Sequence, residues 1–397
     1  MNDQVFDYPF SQTQALEPPA ELAELRQKCP VARIRLPTGD EARMVTRYAD
    51  VKHVLTDAGF VLHREASDPA RVAEEGSLFG SDLMNTLESS GERYQYWRRM
   101  LSRWFTVKRL AEIRPLVEAK AEQLIDEMVE DGAPADLKAH LAVPLPVWVI
   151  CEILGVPHAD RDQFSYWSAT LLSTTRYTAE EIRTAQTAFT EYMAGHVAAK
   201  RAAPGDDFLS ALITEQADLL SDAELIAIGQ ILLVAGHEST ANMIGKTTVM
   251  LLADRTRWER LLADPSLVRP AIEEMMRMDT NAGFGALRHV DQDAEIAGTT
   301  VPRGTTLVCG LAAANRDETV FPNPDEMDFE RSPNPHMAFG AGPHSCAGQP
   351  LARAELQIAL EVLQRKLPTL ELAVPNEELK PLEGLLVGGF VEVPVKW

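Results

Sequence analysis

The longest apolar stretch in the chain runs from Leu225 to Leu252 and reads as one long helix. At 1.5 Å per residue it would span roughly 40 Å. Its first half is almost continuously apolar, through Leu225, Ile226, Ile228, Ile231, Leu232, Leu233 and Val234. Gln230, His237, Glu238, Asn242 and Lys246 interrupt it, and such residues exclude a lipid-facing span. In front of it, Ser221-Asp222-Ala223-Glu224 is a capping-box pattern. Midway, the small pair Ala235-Gly236 stands beside an acid, Glu238, and two alcohols, Ser239 and Thr240. Gly costs a helix about 1 kcal/mol against Ala. The pattern therefore predicts a break there, with room for something flat and a carbonyl freed from the helix ladder.

The remaining chain falls into zones around that helix. Residues 31–36 alternate apolar and polar, Pro37-Thr38-Gly39-Asp40 supplies a turn, and residues 42–46 alternate again, which predicts a hairpin. It belongs to a first zone, 1–60, of strand-like pieces and one helix. Helical periodicity dominates 100–275, as at Leu110–Val129 and Thr178–Ala203. Short strands, turns and prolines take over at 285–340, including residues 321–325. A last helix is expected at about Leu351–Lys366, with short strands after it. No repeat, low-complexity segment or linker divides the chain. The expected fold class is mainly α with a smaller β-rich part, in a single domain over 1–397.

Composition narrows the function. With 45% hydrophobic and 24% charged residues the chain can bury a sizeable core. Its 59 acidic and 38 basic residues leave a net charge of −21, which argues against nucleic acid as a partner. Cys29, Cys151, Cys309 and Cys346 contain no CxxC pair for zinc or redox chemistry. The first ten residues have no basic or apolar run of a signal peptide, so a reducing cytoplasm and no membrane are expected.

Chemistry concentrates at Cys346. Gly340 and Gly342 permit backbone turns closed to other residues, and Pro350 suits the first turn of a helix. Cys346 is thus expected at the mouth of the last helix, where free N–H groups favour a thiolate over a thiol. A lone thiolate in a glycine-turned loop suits an axial ligand to haem iron.

Residues 339–348 fill every fixed position of FGxGxHxCxG, the haem-binding signature of the cytochrome P450 family, and the chain resembles that family. Ala235 to Thr240 resembles the oxygen-activating stretch of its long helix. Glu274-Met275-Met276-Arg277 resembles its ExxR motif, and residues 315–329 its meander. With the family-like Asp206 to Ile213, the resemblance covers essentially the whole chain.

The resemblance implies the cytochrome P450 fold, with haem between the long oxygen-activating helix and the last helix. The cofactor would be heme b, its iron held by the Cys346 thiolate. Phe339 and Gly340 would shape the ligand loop. Arg98, Arg288 and His344 look like propionate partners. Tyr94 stands where the family often has a His, so it could offer one hydrogen bond but no charge. Glu274 and Arg277, at i,i+3, would form a buried structural network. Glu238 and Ser239, with Thr240 sharing the load, would deliver protons to dioxygen. The commonest pattern has Thr directly after the acid; Ser239 keeps the hydroxyl without the rotamer-limiting methyl.

From Arg93 to Arg109 there are six basic residues and no acidic one: Arg93, Arg98, Arg99, Arg103, Lys108 and Arg109. On so acidic a chain this suggests a docking face for an acidic electron donor, extended by Arg353, Arg365 and Lys366. No reductase segment fits in the chain, so ferredoxin and ferredoxin reductase are the expected donors. Pocket walls, by resemblance, would include Met84, Leu87, Leu232, Ala235, Phe284, Leu386 and Val387, which suit a small apolar substrate. The expected function is a haem-thiolate monooxygenase acting with O2 on a secondary metabolite of terpenoid or polyketide type. Oxidative rearrangement, desaturation or ring coupling on the same scaffold is the alternative. A haem-thiolate binding protein without turnover is a further one.

Overall fold

The computed structural model describes residues 4–12, 14–62, 70–73, 78, 83, 86, 91–215, 220–280 and 283–397. Its axis is the helix Asp222–Leu252. The capping box forms: the Ser221 hydroxyl accepts from the Glu224 amide at 3.3 Å, and the Glu224 carboxylate accepts from the Ser221 amide at 2.9 Å. From Thr240 onward every residue of this helix is buried, as a core helix surrounded by protein must be.

The break expected at Ala235-Gly236 does not occur; the helix is continuous there. Gly236 serves a different purpose. A Cβ at this position would lie 2.6 Å from Cδ1 of Ile150, on the helix Pro144–Leu154. The missing side chain lets two helices come close, and that contact offsets the lower helix propensity of glycine.

The long helix packs on Pro144–Leu154, Ala179–Ala202 and the last helix, Gln349–Lys366, which in turn lies along Val107–Asp131. The predicted helix at Thr178–Ala203 forms with Thr178 as its N-cap. The last helix starts at Gln349 and takes Pro350 into its first turn. The first zone holds two helices, Ala20–Lys28 and Tyr48–Thr56, where one was expected. The second buries Val51, Val54 and Leu55 on one face.

The strands are β1 (Val5–Asp7), β2 (Val31–Arg35), β3 (Glu41–Val45), β4 (Phe60–Val61), β5 (Ala135–Asp136), β6 (Ala286–Val290), β7 (Ala294–Ile296), β8 (Thr299–Val301), β9 (Thr306–Cys309), β10 (Glu371–Leu372) and β11 (Pro394–Lys396). The largest sheet has the order β1-β2-β3-β9-β6-β4. The predicted hairpin is its β2–β3 pair, with Val31 opposite Val45 and Ile34 opposite Ala42.

A buried ion-pair network connects the helix Val268–Arg277 to the meander. Arg277 donates to both oxygens of Glu274, at 2.7 and 2.8 Å, and both side chains are essentially inaccessible. Arg277 also donates to the carbonyls of Asn315 and Pro324 at 2.9 and 2.7 Å. Arg331 and the Asp328 amide each reach Glu274 at 3.0 Å. Burial acts to raise the Glu274 carboxyl, and these donors hold it below its ordinary range. The first residue of the meander also ties it to the approach to the cysteine loop, as the Asn315 side chain accepts from the Met337 amide at 2.7 Å.

Candidate active site

The loop around Cys346 is shaped by its backbone. The Gly340 amide donates to the Met337 carbonyl at 2.8 Å, and the Cys346 amide donates to the Phe339 carbonyl at 2.9 Å. Gly340 and Gly342 have φ of +68° and +71°. At Gly342 a Cβ would also lie 2.5 Å from the Leu55 carbonyl oxygen, so only glycine fits against the helix Tyr48–Thr56.

The backbone of Gly348 and Gln349, at the start of the last helix, favours the ionised form of the Cys346 sulfur. Burial nevertheless pushes its thiol up, against the Gly348 amide, Arg98, the Gln349 amide and Arg353. The helix terminus alone therefore does not make the thiolate that the sequence suggests. A cation bound at the sulfur would, which is the situation of a metal ligand.

Cys346 opens into a cavity of about 550 Å³. Of the residues expected to surround a cofactor, Arg98, Arg288, Phe339, Gly340 and His344 line it. Arg288 is buried, donates to the Leu287 carbonyl at 2.7 Å, and leaves its Nε without a partner. A buried guanidinium with an orphaned donor calls for an anion. A haem propionate is such an anion, and the mostly apolar lining suits a porphyrin, so the residues fit haem. Arg98 donates to the Ser345 carbonyl at 2.7 Å.

Tyr94 does not line the cavity. Its hydroxyl donates to the Pro343 carbonyl at 3.1 Å, and its ring lies 4.8 Å from that of His344. Burial pushes its phenol up, so it stays a neutral donor to the loop.

Ser239 and Thr240 line the same cavity as Cys346. The Ser239 hydroxyl donates to the Ala235 carbonyl at 3.4 Å. Glu238 is not in the lining; its carboxylate lies 3.4 Å from Nε2 of His237. Leu232, Ala235 and Val387 are on the wall. Phe284 and Leu386 lie away from it. The Phe284 ring packs edge-on against Tyr8 at 5.0 Å, and its amide donates to the Leu386 carbonyl at 2.9 Å. Leu386 is buried in the core instead, its amide donating to the Leu172 carbonyl at 2.7 Å. Met84 and Leu87 lie outside the described residues.

Arg99 and Arg103 are exposed. The residues expected to extend their patch are each ion-paired. Arg353 is held by Glu273, Arg365 by Glu122, and Lys366 by Asp126 at 2.6 Å. Arg109 stacks 3.4 Å above the Trp104 ring.

Sequence reasoning missed two acids here. Glu273 anchors Arg353, a contact between distant segments. Glu355 lines the cavity from the last helix, 1% exposed, with both carboxyl oxygens unpartnered. Burial holds its carboxyl well above the usual range. Its only sequence signal is an acid amid the buried residues Leu351, Leu356 and Ala359 of an apolar helix face.

The family model for cytochrome P450 matches residues 254–387. The nocardicin C N-oxygenase of Nocardia uniformis subsp. tsuyamanensis is 41% identical over 394 residues, 98% of each chain. The mycinamicin IV hydroxylase/epoxidase of Micromonospora griseorubida is 40% identical over 394 residues, again 98% of each. Among solved structures, the putative thioether synthase SgvP, involved in the tailoring step of griseoviridin, has a TM-score of 0.94 and 38% identity. That match covers 99% of this chain and 100% of that one. The chain belongs to the cytochrome P450 family. It is a P450 monooxygenase, and its cofactor is haem with a cysteine-thiolate-bound iron. Among the described residues no helix is long and apolar enough to cross a membrane.

Proposed function

We propose that Cys346 is the iron ligand and that Glu238, Ser239 and Thr240 deliver protons into the reaction cavity. The observation that carries this is a single cavity lined by the Cys346 loop, the Ser239 and Thr240 side chains and a buried arginine with an orphaned donor. Haem, when bound, supplies the activation of O2 and the insertion of one oxygen atom into substrate. Arg288, Arg98 and His344 hold the propionates, while Tyr94 braces the ligand loop through Pro343. The Ser239 and Thr240 hydroxyls accept and pass protons in a cavity whose apolar walls exclude most water.

The substrate is a small apolar molecule, with Leu232, Ala235 and Val387 against it. Relatives that act on nocardicin C and mycinamicin IV support a secondary metabolite. The likeness to a putative thioether synthase favours oxidative ring coupling as the second reading. The chain is one haem domain in the cytoplasm, and a ferredoxin with its reductase supplies electrons at the Arg99–Arg103 face.

Two measurements test this. The reduced, carbon-monoxide-bound protein should show the red-shifted Soret band of thiolate ligation, and Cys346→Ala should lose it. Retention of that band in the variant would overturn the ligand assignment. Ligands picked out by a Soret shift should then give products heavier by one oxygen; a loss of two hydrogens would favour coupling or desaturation.

A further inference from the structure

A second cavity, of about 560 Å³, meets the lining of the Cys346 cavity at Ala312. It lies between the helix Ala20–Lys28, the end of the long helix at Met250, the end of the ExxR helix at Met278 and the start of the meander. Three arginines line it: Arg26, Arg257 and Arg316.

Each arginine is held at two points and keeps one nitrogen unused. Arg26 donates from Nε to Glu318 and from Nη1 to the Ala313 carbonyl, both at 3.2 Å. Arg257 donates from Nη1 to the Met250 carbonyl at 3.0 Å, and its Nε lies 3.5 Å from Asp254. Arg316 donates from Nε to Asp325 at 3.1 Å and from Nη2 to the Met278 carbonyl at 2.9 Å. Nη2 of Arg26, Nη2 of Arg257 and Nη1 of Arg316 have no partner among the described residues.

Two of these side chains are deeply buried, Arg316 at 5% exposure and Arg26 at 7%. A buried donor left without an acceptor is costly, and Nη1 of Arg316 is such a donor. Burial pulls its guanidinium down; Asp325 acts to raise it, Arg277 lowers it, and Asp279 raises it. The neighbouring acids balance the charge without filling the hollow. Glu318, Asp254 and Asp325 all engage the Nε edges and leave the three Nη atoms unserved. Asp254 also receives the Thr256 amide and hydroxyl, at 3.1 and 2.6 Å, and Glu17 on the cavity rim is exposed. Leu22, Met250, Met278 and Met327 add apolar wall.

We propose that this cavity binds an organic anion: an oxyanion head, carboxylate or phosphate, carried on a short apolar body. The head is received by the three guanidiniums and the body lies against Leu22 and the methionines. A guanidinium presents parallel N–H donors that match two oxygens of such a head. The volume is that of a small-molecule site.

The test is calorimetric titration of the holoenzyme with imidazole on the iron, while the Soret band reports any entry into the Cys346 cavity. The probes are octanoate, octyl phosphate and, as the neutral control, octanol. At least one anion should bind at one site, about tenfold or more tightly than octanol, and more weakly at high salt. The tighter of the two identifies the head. Arg257→Gln changes a partly exposed residue outside the Cys346 cavity. It should weaken anion binding about tenfold with the Soret band unchanged. Arg316→Met should weaken it at least as much. Octanol binding as tightly as the anions overturns the proposal, as does the lack of binding by either anion at millimolar concentration. Anion binding that Arg257→Gln leaves unchanged overturns it too, and that variant decides alone should Arg316→Met not fold.

Discussion

The Arg353 guanidinium lies 4.5 Å over the Phe339 ring while donating to both oxygens of Glu273, at 2.6 and 2.9 Å. Three segments meet in this contact: the last helix, the cysteine loop and the helix of the ExxR motif. His336, two residues before the loop's own Ala338, approaches the same carboxylate at 3.0 Å.

The contact should make the loop acid-labile. Burial acts to raise the Glu273 carboxyl, and the His336 and Arg353 bonds overcome it and hold it at about 2. A depressed carboxyl stabilises the fold above the ordinary value of 4.5, and the contribution fades as pH falls toward about 2. Glu273→Gln should therefore cost about 3 kcal/mol at neutral pH. Thermal denaturation across pH should show the gap to the native protein closing in acid. A gap independent of pH would show that the ionised pair is not what stabilises the loop.

Glu355 should behave in the opposite sense. Its carboxyl is raised by burial, so its protonated form is at home and its ionised form is not. Stability is full below the ordinary carboxylate value and is lost as pH rises through the folded one. Glu355→Gln keeps the shape and removes the ionisation. It should melt higher than the native protein at pH 8 and close to it at pH 4, and equal melting at both would argue for an unseen partner.

Gly236→Ala brings a Cβ to 2.6 Å from Ile150. Overpacking of this kind costs about 1–3 kcal/mol, against a gain of about 1 kcal/mol in helix propensity. The variant should be less stable, and Ile150→Ala in the same chain should recover part of the loss. A more stable single variant would mean that the Ile150 side chain moves aside freely.

Arg99 and Arg103 are exposed, whereas Arg353, Arg365 and Lys366 are already paired. The face proposed for docking is thus narrower in unpaired charge than the charge run suggests. Arg99→Glu with Arg103→Glu should weaken ferredoxin-supported turnover and flatten its salt dependence, with ligand-induced Soret shifts unchanged. Arg365→Glu should do much less. Equal effects from the two would return the distal arginine to the patch.

Local signals were legible in the sequence by itself. The capping box at Ser221, the β2–β3 hairpin, the glycine turns before Cys346 and the Glu274–Arg277 pair each depend on residues a few positions apart. Together with the cysteine signature they determined the mainly α fold and the haem chemistry. Only the tertiary structure decided the rest, because each case depends on a partner remote in sequence. Glycine at 236 could signal a break or a close contact, and Ile150 settles it. Tyr94 could reach a cofactor or the loop, and the Pro343 carbonyl accepts its hydrogen bond. Arg353 could be a docking charge or a brace, and Glu273 makes it a brace. His237 and Glu238 are adjacent in sequence, yet neighbours on a helix do not normally face each other. The Leu233 carbonyl holds the ring so that its Nε2 lies 3.4 Å from the carboxylate, a geometry the order of residues does not contain.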